Sequence, residues 1–451
     1  MPPLVLQSNL FGEMFGSDRM RNLFADEAMV GRYLHVEVAL ASAQARLGII
    51  PDDAAKAIAA AANVERVDWQ RLQERSQLVG YPILPLVEQL SDWAVDGAGQ
   101  YAHWGATTQD IMDTADVLQI RDALDLVEQD LTAIADALAG LAETHARTPM
   151  PGRTHLQHAL PISFGYKAAT WLSGIDRHLQ RLAELRGRVE FVSFSGAAGT
   201  LASLGDKGLA TQAALAAELD LAVPAITWHT IRDGFAEVTG FLALVTGSIG
   251  KIGYDIMLMM QTEIGEVMEP FVTGRGASST MPQKRNPISS EMMLATAKLV
   301  REQHSAMLDA MVVDHERATG QWQVEWQALP TAFILASGGL RAAREALEGL
   351  EVRPDAMRRT LDFTNGLIVA EAVMMGLAPK MGRQHAHDAV YVCCRAAIEQ
   401  EISLLEALKR EPSITEIIDA AELERLVDPV NYLGEAPEMV ARLLAARKIR
   451  G

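Results

Sequence analysis

The most informative chemistry in the sequence lies in residues 274–287, which read GRGASSTMPQKRNP. Glycines make such a loop flexible at one end, and prolines stiffen it at the other. Lys284 and Arg285 place positive charge beside serine and threonine hydroxyls in an otherwise acidic protein. This combination favours binding of an anion and closure of the loop over it. The run is not a Walker phosphate-binding loop, because the GxxxxGK[ST] pattern is absent.

A second polar segment, residues 102–110, reads AHWGATTQD and leads into IMDT. Thr107 and Thr108 stand at a predicted helix start, where hydroxyl and backbone N–H groups together suit a carboxylate. The same residues are also typical of a simple helix N-cap, and the spacing alone leaves both interpretations open.

A third polar segment, residues 152–159, reads GRTHLQHA and is predicted to be a loop. His155 and His158 are three residues apart, a spacing that permits metal binding. Neither a nearby cysteine nor an HExxH pattern supports a metal here, and a packed histidine is the alternative for each. We therefore predict no metal site.

The spacing Ser278-x-x-Met281-x-x-Lys284-x-Asn286 resembles the signature of the fumarase/aspartase superfamily. That superfamily includes fumarases, aspartases, argininosuccinate and adenylosuccinate lyases, and 3-carboxy-cis,cis-muconate cycloisomerases. The other two segments resemble its remaining active-site regions in the same order, so the resemblance covers nearly the whole chain. One departure is Ala277, where the signature usually has glycine, and this change removes no reacting group.

The resemblance implies an all-α fold of long helices, in a homotetramer whose central helices form a twenty-helix core. Each active site would combine the three polar segments from three different subunits. The reaction would be an anti β-elimination from a succinyl-type substrate, commonly releasing fumarate, with no cofactor.

Residue roles follow from the resemblance and from the chemistry of such a reaction. Removal of a proton next to a carboxylate forms a doubly charged aci-carboxylate, which needs fixed positive charge and N–H donors where water is excluded. The resemblance implies that Ser278 is the base, His155 the general acid and Glu291 the carboxylate that orients this acid. Lys284 completes the catalytic set. The substrate-binding residues are then Thr107, Thr108, Thr154, Gln157, His103, Ser279, Met281, Asn286 and Arg317.

Three features bear on the branch of the superfamily. Residues 314–317, DHER, and residues 426–434, LVDPVNYLG, resemble the cycloisomerases. Those enzymes generally lack histidine at the position of His155, whereas a leaving nitrogen or oxygen needs an acid there. Residues 322–326, WQVEW, have tryptophan where adenylosuccinate lyases carry a phosphate-binding arginine, which disfavours a nucleotide substrate.

The sequence therefore predicts a C–N lyase that acts on an N-substituted aspartate or related amino-dicarboxylate and releases fumarate. The main alternative is a lactonising 3-carboxy-cis,cis-muconate cycloisomerase. Adenylosuccinate lyase and a non-enzymatic structural protein, like the lens crystallins of this superfamily, are the remaining alternatives.

Long helices are predicted to position these segments. From Val117 to Leu141, apolar residues recur at alternating spacings of three and four, which predicts one uninterrupted helix. Residues 235–259 are apolar around nearly the whole circumference and predict a central, closely packed helix. Further helices are predicted near 164–188, 289–312 and 324–350. We expect a mixed helical domain at 1–114, a long-helix bundle at 115–350 and a C-terminal helical domain at 351–451.

Composition limits the setting in which the protein acts. Of 451 residues, 49% are hydrophobic, and 40 basic against 58 acidic residues give a net charge of −18, which disfavours a nucleic-acid partner. The longest uncharged stretches have 15 residues, too few to span a bilayer, so no membrane partner is predicted. The two adjacent cysteines cannot form a disulfide framework, and no secretory signal is visible. We expect a cytoplasmic enzyme whose partners are its dicarboxylate substrate and copies of itself.

Overall fold

A computed structural model of the protein describes residue 6 and residues 8–276, 280–281, 283–317 and 319–450. Most of these residues are helical, which confirms the all-α fold class. The helices are α1 (Gly12–Phe15), α2 (Asp18–Leu23), α3 (Asp26–Arg46), α4 (Asp52–Ala61), α5 (Trp69–Val79), α6 (Ile83–Trp93), α7 (Thr108–Thr144), α8 (Phe164–Val189), α9 (Gly208–Leu219), α10 (Asp233–Met259), α11 (Ile288–Ala310), α12 (Gln321–Leu347), α13 (Pro354–Asp362), α14 (Ala370–Met381), α15 (Arg383–Gln400), α16 (Leu404–Lys409), α17 (Pro412–Thr415), α18 (Ala420–Val427) and α19 (Ala436–Arg450).

The five predicted long helices are all present, with ends shifted by a few residues from the prediction. The apolar stripe of α7 explains its length, because each stripe residue from Val117 to Leu138 is completely buried. By length and composition, α10 could cross a membrane, yet half of its most apolar window is buried within the chain. The buried core helix of a soluble protein has the same character, so α10 is weak evidence for a membrane span.

Short strands occur in two antiparallel pairs within the described residues. The first pair, β1 (Pro149–Thr154) and β2 (Gln157–Ser163), forms a hairpin that contains the 152–159 segment. The prediction of a loop was therefore wrong for most of this segment, which is irregular only at its turn and at a register shift between Pro151 and Arg153. The second pair joins β3 (Val267–Met268) to β4 (Glu351–Val352).

The chain divides into two compact units, neither of which is continuous in sequence. Unit 1 comprises Met1–Leu131, His178–Ile249 and Met292–Arg341, and its largest apolar cluster is built from α3, α4, α6 and α9 with the start of α7. Unit 2 comprises Thr132–Arg177, Gly250–Glu291 and Ala342–Gly451, and its largest apolar cluster lies among α14 to α18. The three consecutive domains expected from the sequence remain a prediction.

Candidate functional site

The 102–110 segment of unit 1 is held by the buried carboxylate of Asp110. Its Oδ2 accepts the backbone N–H groups of Thr107 and Gly196, each at 2.9 Å. Its Oδ1 accepts the N–H of Ser195 at 2.8 Å and lies 2.7 Å from Nε2 of His229. Four donors satisfy this fully buried carboxylate, so the turn before α7 is fixed against residues 195–196.

Thr107 and Thr108 lie where the sequence predicted, at the start of α7. Helix α7 begins at Thr108 and runs for 37 residues, so the positive end of its dipole faces this turn. The Thr107 hydroxyl accepts a hydrogen bond from Nη1 of Arg317 at 3.0 Å, and Nη2 donates to the carbonyl of Ala197 at 3.0 Å. A fixed guanidinium beside a helix N-terminus suits a carboxylate of the substrate.

His103 provides a second positive charge near this helix start, in addition to Arg317. Its backbone is in the left-handed region at φ 56°, and both its backbone N–H and its Nδ1 contact the Glu37 carboxylate, at 3.1 and 2.6 Å. Burial lowers the pKa of His103, but the charge and hydrogen bond of Glu37 outweigh this effect and raise the pKa overall. The imidazolium is thereby favoured within four residues of Thr107.

The tip of the β1–β2 hairpin in unit 2 carries His155. His155 and Leu156 form a two-residue turn with φ of 51° and 62°, between the paired residues Thr154 and Gln157. This turn type normally takes Asn-Gly, because left-handed backbone is unfavourable for larger side chains. All four residues are exposed. Strain of this kind is typical of functional positions, which is consistent with a role for His155.

A buried ion pair anchors the hairpin just before this turn. Arg153 donates two hydrogen bonds to the two carboxylate oxygens of Glu266, at 2.9 and 2.7 Å. Glu266 is fully buried, so the anchor is rigid. His158 stacks on Phe363, with ring centroids 6.5 Å apart. This contact agrees with the interpretation of His158 as a packed histidine. No cluster of potential metal ligands occurs among the described residues.

The 274–287 segment of unit 2 is closed at its base by a backbone hydrogen bond. The N–H of Asn286 donates to the carbonyl of Gly276 at 3.0 Å. Gly276 has φ 66°, and an added Cβ would lie 2.7 Å from the carbonyl oxygen of Asn286, so glycine is required there. Lys284 and Met281 are exposed. Ser278 and Ser279 lie outside the described residues.

Glu291 stands in the first turn of α11, whose start is fixed by a different carboxylate. Glu269 accepts the N–H groups of Ser289 and Ser290 at 3.2 and 2.8 Å. Glu291 itself is exposed, and neither it nor His155 has a side-chain hydrogen bond to another described residue. Glu291 and His155 therefore form no hydrogen bond with each other within the described part of the chain. The contact expected between them across a subunit interface stays a prediction.

Two residues that organise the site were missed by the sequence analysis. Asp110 follows Thr107 by three residues, the spacing of a helix capping box, so this pattern could have revealed it. Glu37 lies 66 residues from His103, and no local pattern indicates their contact.

Comparisons with known proteins agree over nearly the whole chain. Residues 14–301 match the family described as Lyase, and residues 366–443 match the family described as Adenylosuccinate lyase C-terminus. The chain is 50% identical to trans-aconitate decarboxylase 1 of Mycosarcoma maydis, covering 99% of this chain and 90% of that protein. It is 46% identical to 3-carboxy-cis,cis-muconate cycloisomerase of Pseudomonas aeruginosa, over 98% of this chain and 97% of that protein.

A further relative and a solved structure extend this range of activities. N-acetyl-S-(2-succino)cysteine lyase of Enterococcus italicus is 38% identical, over 97% of this chain and 96% of that protein. A fumarate lyase from Mesorhizobium sp. BNC1, known from its crystal structure, is 55% identical in sequence to this chain. The two structures match with a TM-score of 0.91 over 96% of this chain and 99% of that one.

Proposed function

Because the chain belongs to the fumarase/aspartase superfamily of enzymes, we propose that it is a C–N lyase acting by anti β-elimination without a cofactor. The substrate would be an N-substituted aspartate or a related amino-dicarboxylate, and one product would be fumarate. The non-enzymatic alternative loses its support, since the relatives are named lyases and cycloisomerases.

The observation that carries this proposal is the position of His155. It occupies a strained, exposed turn whose hairpin is anchored by Arg153 and Glu266, and the imidazole has no partner in the described chain. An unpaired histidine held in this way is available to protonate a leaving group. The relative named N-acetyl-S-(2-succino)cysteine lyase supports this chemistry, because its named substrate carries a sulfur leaving group on a succinyl carbon.

The first chemical step would be removal of a proton from the carbon next to a substrate carboxylate. In this proposal Ser278 takes the proton, and the electron pair moves into the carboxylate to form the aci-carboxylate. Lys284 and Asn286, on the same segment, would stabilise the added negative charge by ionic and hydrogen-bonding contacts. The base needs surrounding positive charge and N–H donors, because a free serine hydroxyl is far too weak a base.

The second step would be loss of the amine. The electron pair of the aci-carboxylate forms the carbon–carbon double bond, the C–N bond breaks, and His155 gives its proton to the departing nitrogen. Glu291 from another subunit would stabilise the imidazolium before this transfer. Without that proton an amide-like anion would have to leave, which is energetically unfavourable.

The charged groups of unit 1 would hold the second carboxylate of the substrate. Arg317 and the start of α7 supply fixed donors, and His103 adds a positive charge favoured by Glu37. Thr154, Gln157, Ser279 and Met281 would complete the pocket from the other two segments. An anionic substrate thus meets a local positive surface in a chain whose net charge is −18.

We also propose the homotetramer with a twenty-helix core and active sites shared by three subunits. Exposed apolar residues on α10 support the tetramer. Leu244 is 54% and Tyr254 is 51% exposed on a helix that is mostly apolar. Burial of such a surface by other subunits is favourable. A cytoplasmic location, without nucleic-acid or membrane partners, is part of the same proposal.

A second candidate function is a lactonising 3-carboxy-cis,cis-muconate cycloisomerase. The 46% identity to such an enzyme over nearly the whole length of both proteins favours it. The reaction also needs a carboxylate-stabilised carbanion, so most of the site would serve either activity. It has no leaving nitrogen, so it gives His155 no acid role.

The experiment that tests the proposal compares substrates directly. Purified protein is incubated separately with iminodisuccinate, adenylosuccinate and 3-carboxy-cis,cis-muconate while ultraviolet absorbance and the NMR signal of fumarate are followed. We expect fumarate from iminodisuccinate. Loss of muconate absorbance without fumarate from the amino-dicarboxylates would contradict the C–N lyase and support the cycloisomerase. Ser278→Ala protein, prepared identically, controls for contaminating host lyases.

A further inference from the structure

A cavity of about 400 Å³ within unit 1 has an unusual charge distribution. Three carboxylates line it, and no lysine, arginine or histidine among the described residues does. The carboxylates come from three helices, with Asp26 on α3, Asp116 on α7 and Glu325 on α12. None of the three belongs to the predicted catalytic set, so the proposed reaction leaves this cavity without a function.

Asp116 is a cavity carboxylate that forms no ion pair within the described part of the chain. Burial is the main cause that raises its pKa well above the usual range, and nearby Asp113 and Glu325 add to it. Arg232 opposes this effect, but its guanidinium is already bonded to the carboxylates of both Asp113 and Glu325. Asp116 forms no hydrogen bond or ion pair with any described residue. The Asp116 side chain is half-buried and faces the cavity, so a ligand or water there can meet its unpaired carboxylate.

Tyr33 provides a second, independent indication of a ligand. Its side chain is only 1% exposed and lines the same cavity, yet its hydroxyl has no hydrogen-bonding partner in the described part of the chain. Gln119 donates its amide N–H to the carbonyl of Leu23 at 2.7 Å, which leaves its own carbonyl oxygen without a partner there. Three unpaired acceptor groups thus line one cavity, where a ligand or water can donate hydrogen bonds to them.

The rest of the cavity wall is mostly aromatic and apolar, with Gln327 and the indole N–H of Trp326, which has no partner among the described residues, as its further polar groups. Phe24, Tyr33 and Trp326 contribute rings, and Met29 and Met112 contribute flexible thioethers. Aromatic faces attract cations, and the attraction grows when water is excluded. A wall of rings combined with carboxylates is the arrangement that recognises alkylammonium groups.

We propose that this cavity binds a small organic ammonium ion, with Asp116 and Tyr33 accepting its N–H donors and the rings surrounding its carbon skeleton. An anion would meet three carboxylates, and a neutral apolar molecule would leave Asp116 and Tyr33 unpaired. Asp116 itself lies eight residues beyond Thr108, which is about 12 Å along α7. The proposal does not depend on which reaction the enzyme catalyses.

The test uses three probes of similar shape and different charge. Binding of 2-phenylethylammonium, 2-phenylethanol and phenylacetate to the full-length protein is measured by calorimetry at neutral pH. We expect the ammonium ion to bind at least tenfold more tightly than the alcohol, since a hydrogen bond to a charged group exceeds a neutral one by about that factor. Phenylacetate should not bind in this cavity. Equal binding of the cation and the alcohol would overturn the proposal, and so would failure of the cation to bind.

Substitutions locate the site. Asp116→Asn keeps the shape and removes the charge, and we expect it to weaken ammonium binding at least tenfold while alcohol binding stays unchanged. Tyr33→Phe should weaken ammonium binding severalfold and is the deciding variant if Asp116→Asn does not fold, as judged by circular dichroism. Asp53→Asn, an equivalent change at a fully exposed site on α4, is the matched control. Unchanged ammonium affinity in both cavity variants would refute the assignment.

Discussion

The buried contact between Glu37 and His103 gives the sharpest test of the unit 1 site. Substitution of Glu37 by glutamine keeps the size of the side chain and removes its charge. A glutamine oxygen can still accept the backbone N–H of His103, but the new amide N–H favours a neutral imidazole at Nδ1. Burial, which lowers the pKa of His103, would then be opposed mainly by the weaker effect of the Asp110 charge.

The size of the effect follows from the geometry of this pair. The carboxylate of Glu37 is 1% exposed and the imidazole 22%, so solvent screening is limited. A hydrogen bond to a charged group contributes about 1.5–3 kcal/mol. The pKa of His103 should therefore fall in Glu37→Gln, and the pair should lose about that much stabilisation at pH values where the imidazole is charged.

Two measurements check this prediction. NMR titration of the His103 ring protons gives the pKa directly, and the alkaline limb of kcat/KM should move to lower pH by the same amount. Below about pH 6.5 the pair stabilises the fold fully, and this contribution is lost as pH rises through the raised pKa. The difference in unfolding free energy between wild type and variant should therefore be larger at pH 6 than at pH 9.

The control for this variant is Glu27→Gln, an exposed position in the first turn of the same helix, α3. It removes the same charge without touching His103, and the pKa should be unchanged. An unaltered pKa of His103 in Glu37→Gln, or an equal shift in both variants, would refute the reasoning that Glu37 maintains the imidazolium.

Three further predictions concern the base, the assembly and the acidic cavity. Ser278→Ala should preserve folding and substrate binding while kcat falls by orders of magnitude, and near-normal turnover would exclude Ser278 as the base. Mixing and reassembling Ser278→Ala and His155→Ala subunits should restore part of the activity, because some shared sites then contain neither substitution. A monomeric mass in solution, or no recovery of activity in verified hybrids, would contradict the shared active site. Asp116→Asn should raise the melting temperature near pH 7 and have little effect near pH 3. The raised pKa of Asp116 destabilises the fold only above its unfolded pKa of about 3.9, so a lower melting temperature near pH 7 would show that the charge of Asp116 is satisfied.

The long helices were predictable because their stabilisation is periodic in sequence. Seven successive apolar positions of α7 are fully buried, and α10 is apolar over most of its surface. The β1–β2 hairpin was not predictable in the same way, because Pro149, Pro151 and Pro161 interrupt any strand pattern. Proline is tolerated there because both strands of a two-stranded sheet are edges, where an N–H group is not needed on the outer side.

The candidate site was predictable where its chemistry is local in sequence. Thr107 and Thr108 stand at a helix start as expected. The residues that fix the charge and orientation of these groups were not predictable. Glu37, for example, contacts His103 only because elements that are distant in sequence pack together. Contacts set by tertiary packing leave no spacing pattern that a single sequence displays.

The acid role of His155 separates elimination from lactonisation and is the central claim of the proposed function. The most direct measurement compares kcat/KM of wild type and His155→Ala on two N-substituted aspartates, one with a poor amine leaving group and one whose leaving group is already a stable anion. General-acid catalysis contributes about 10²–10⁴-fold, and only the poor leaving group needs it. We predict a loss in that range for the poor leaving group and a much smaller loss for the good one. Equal losses on both substrates would contradict the acid role and favour the cycloisomerase.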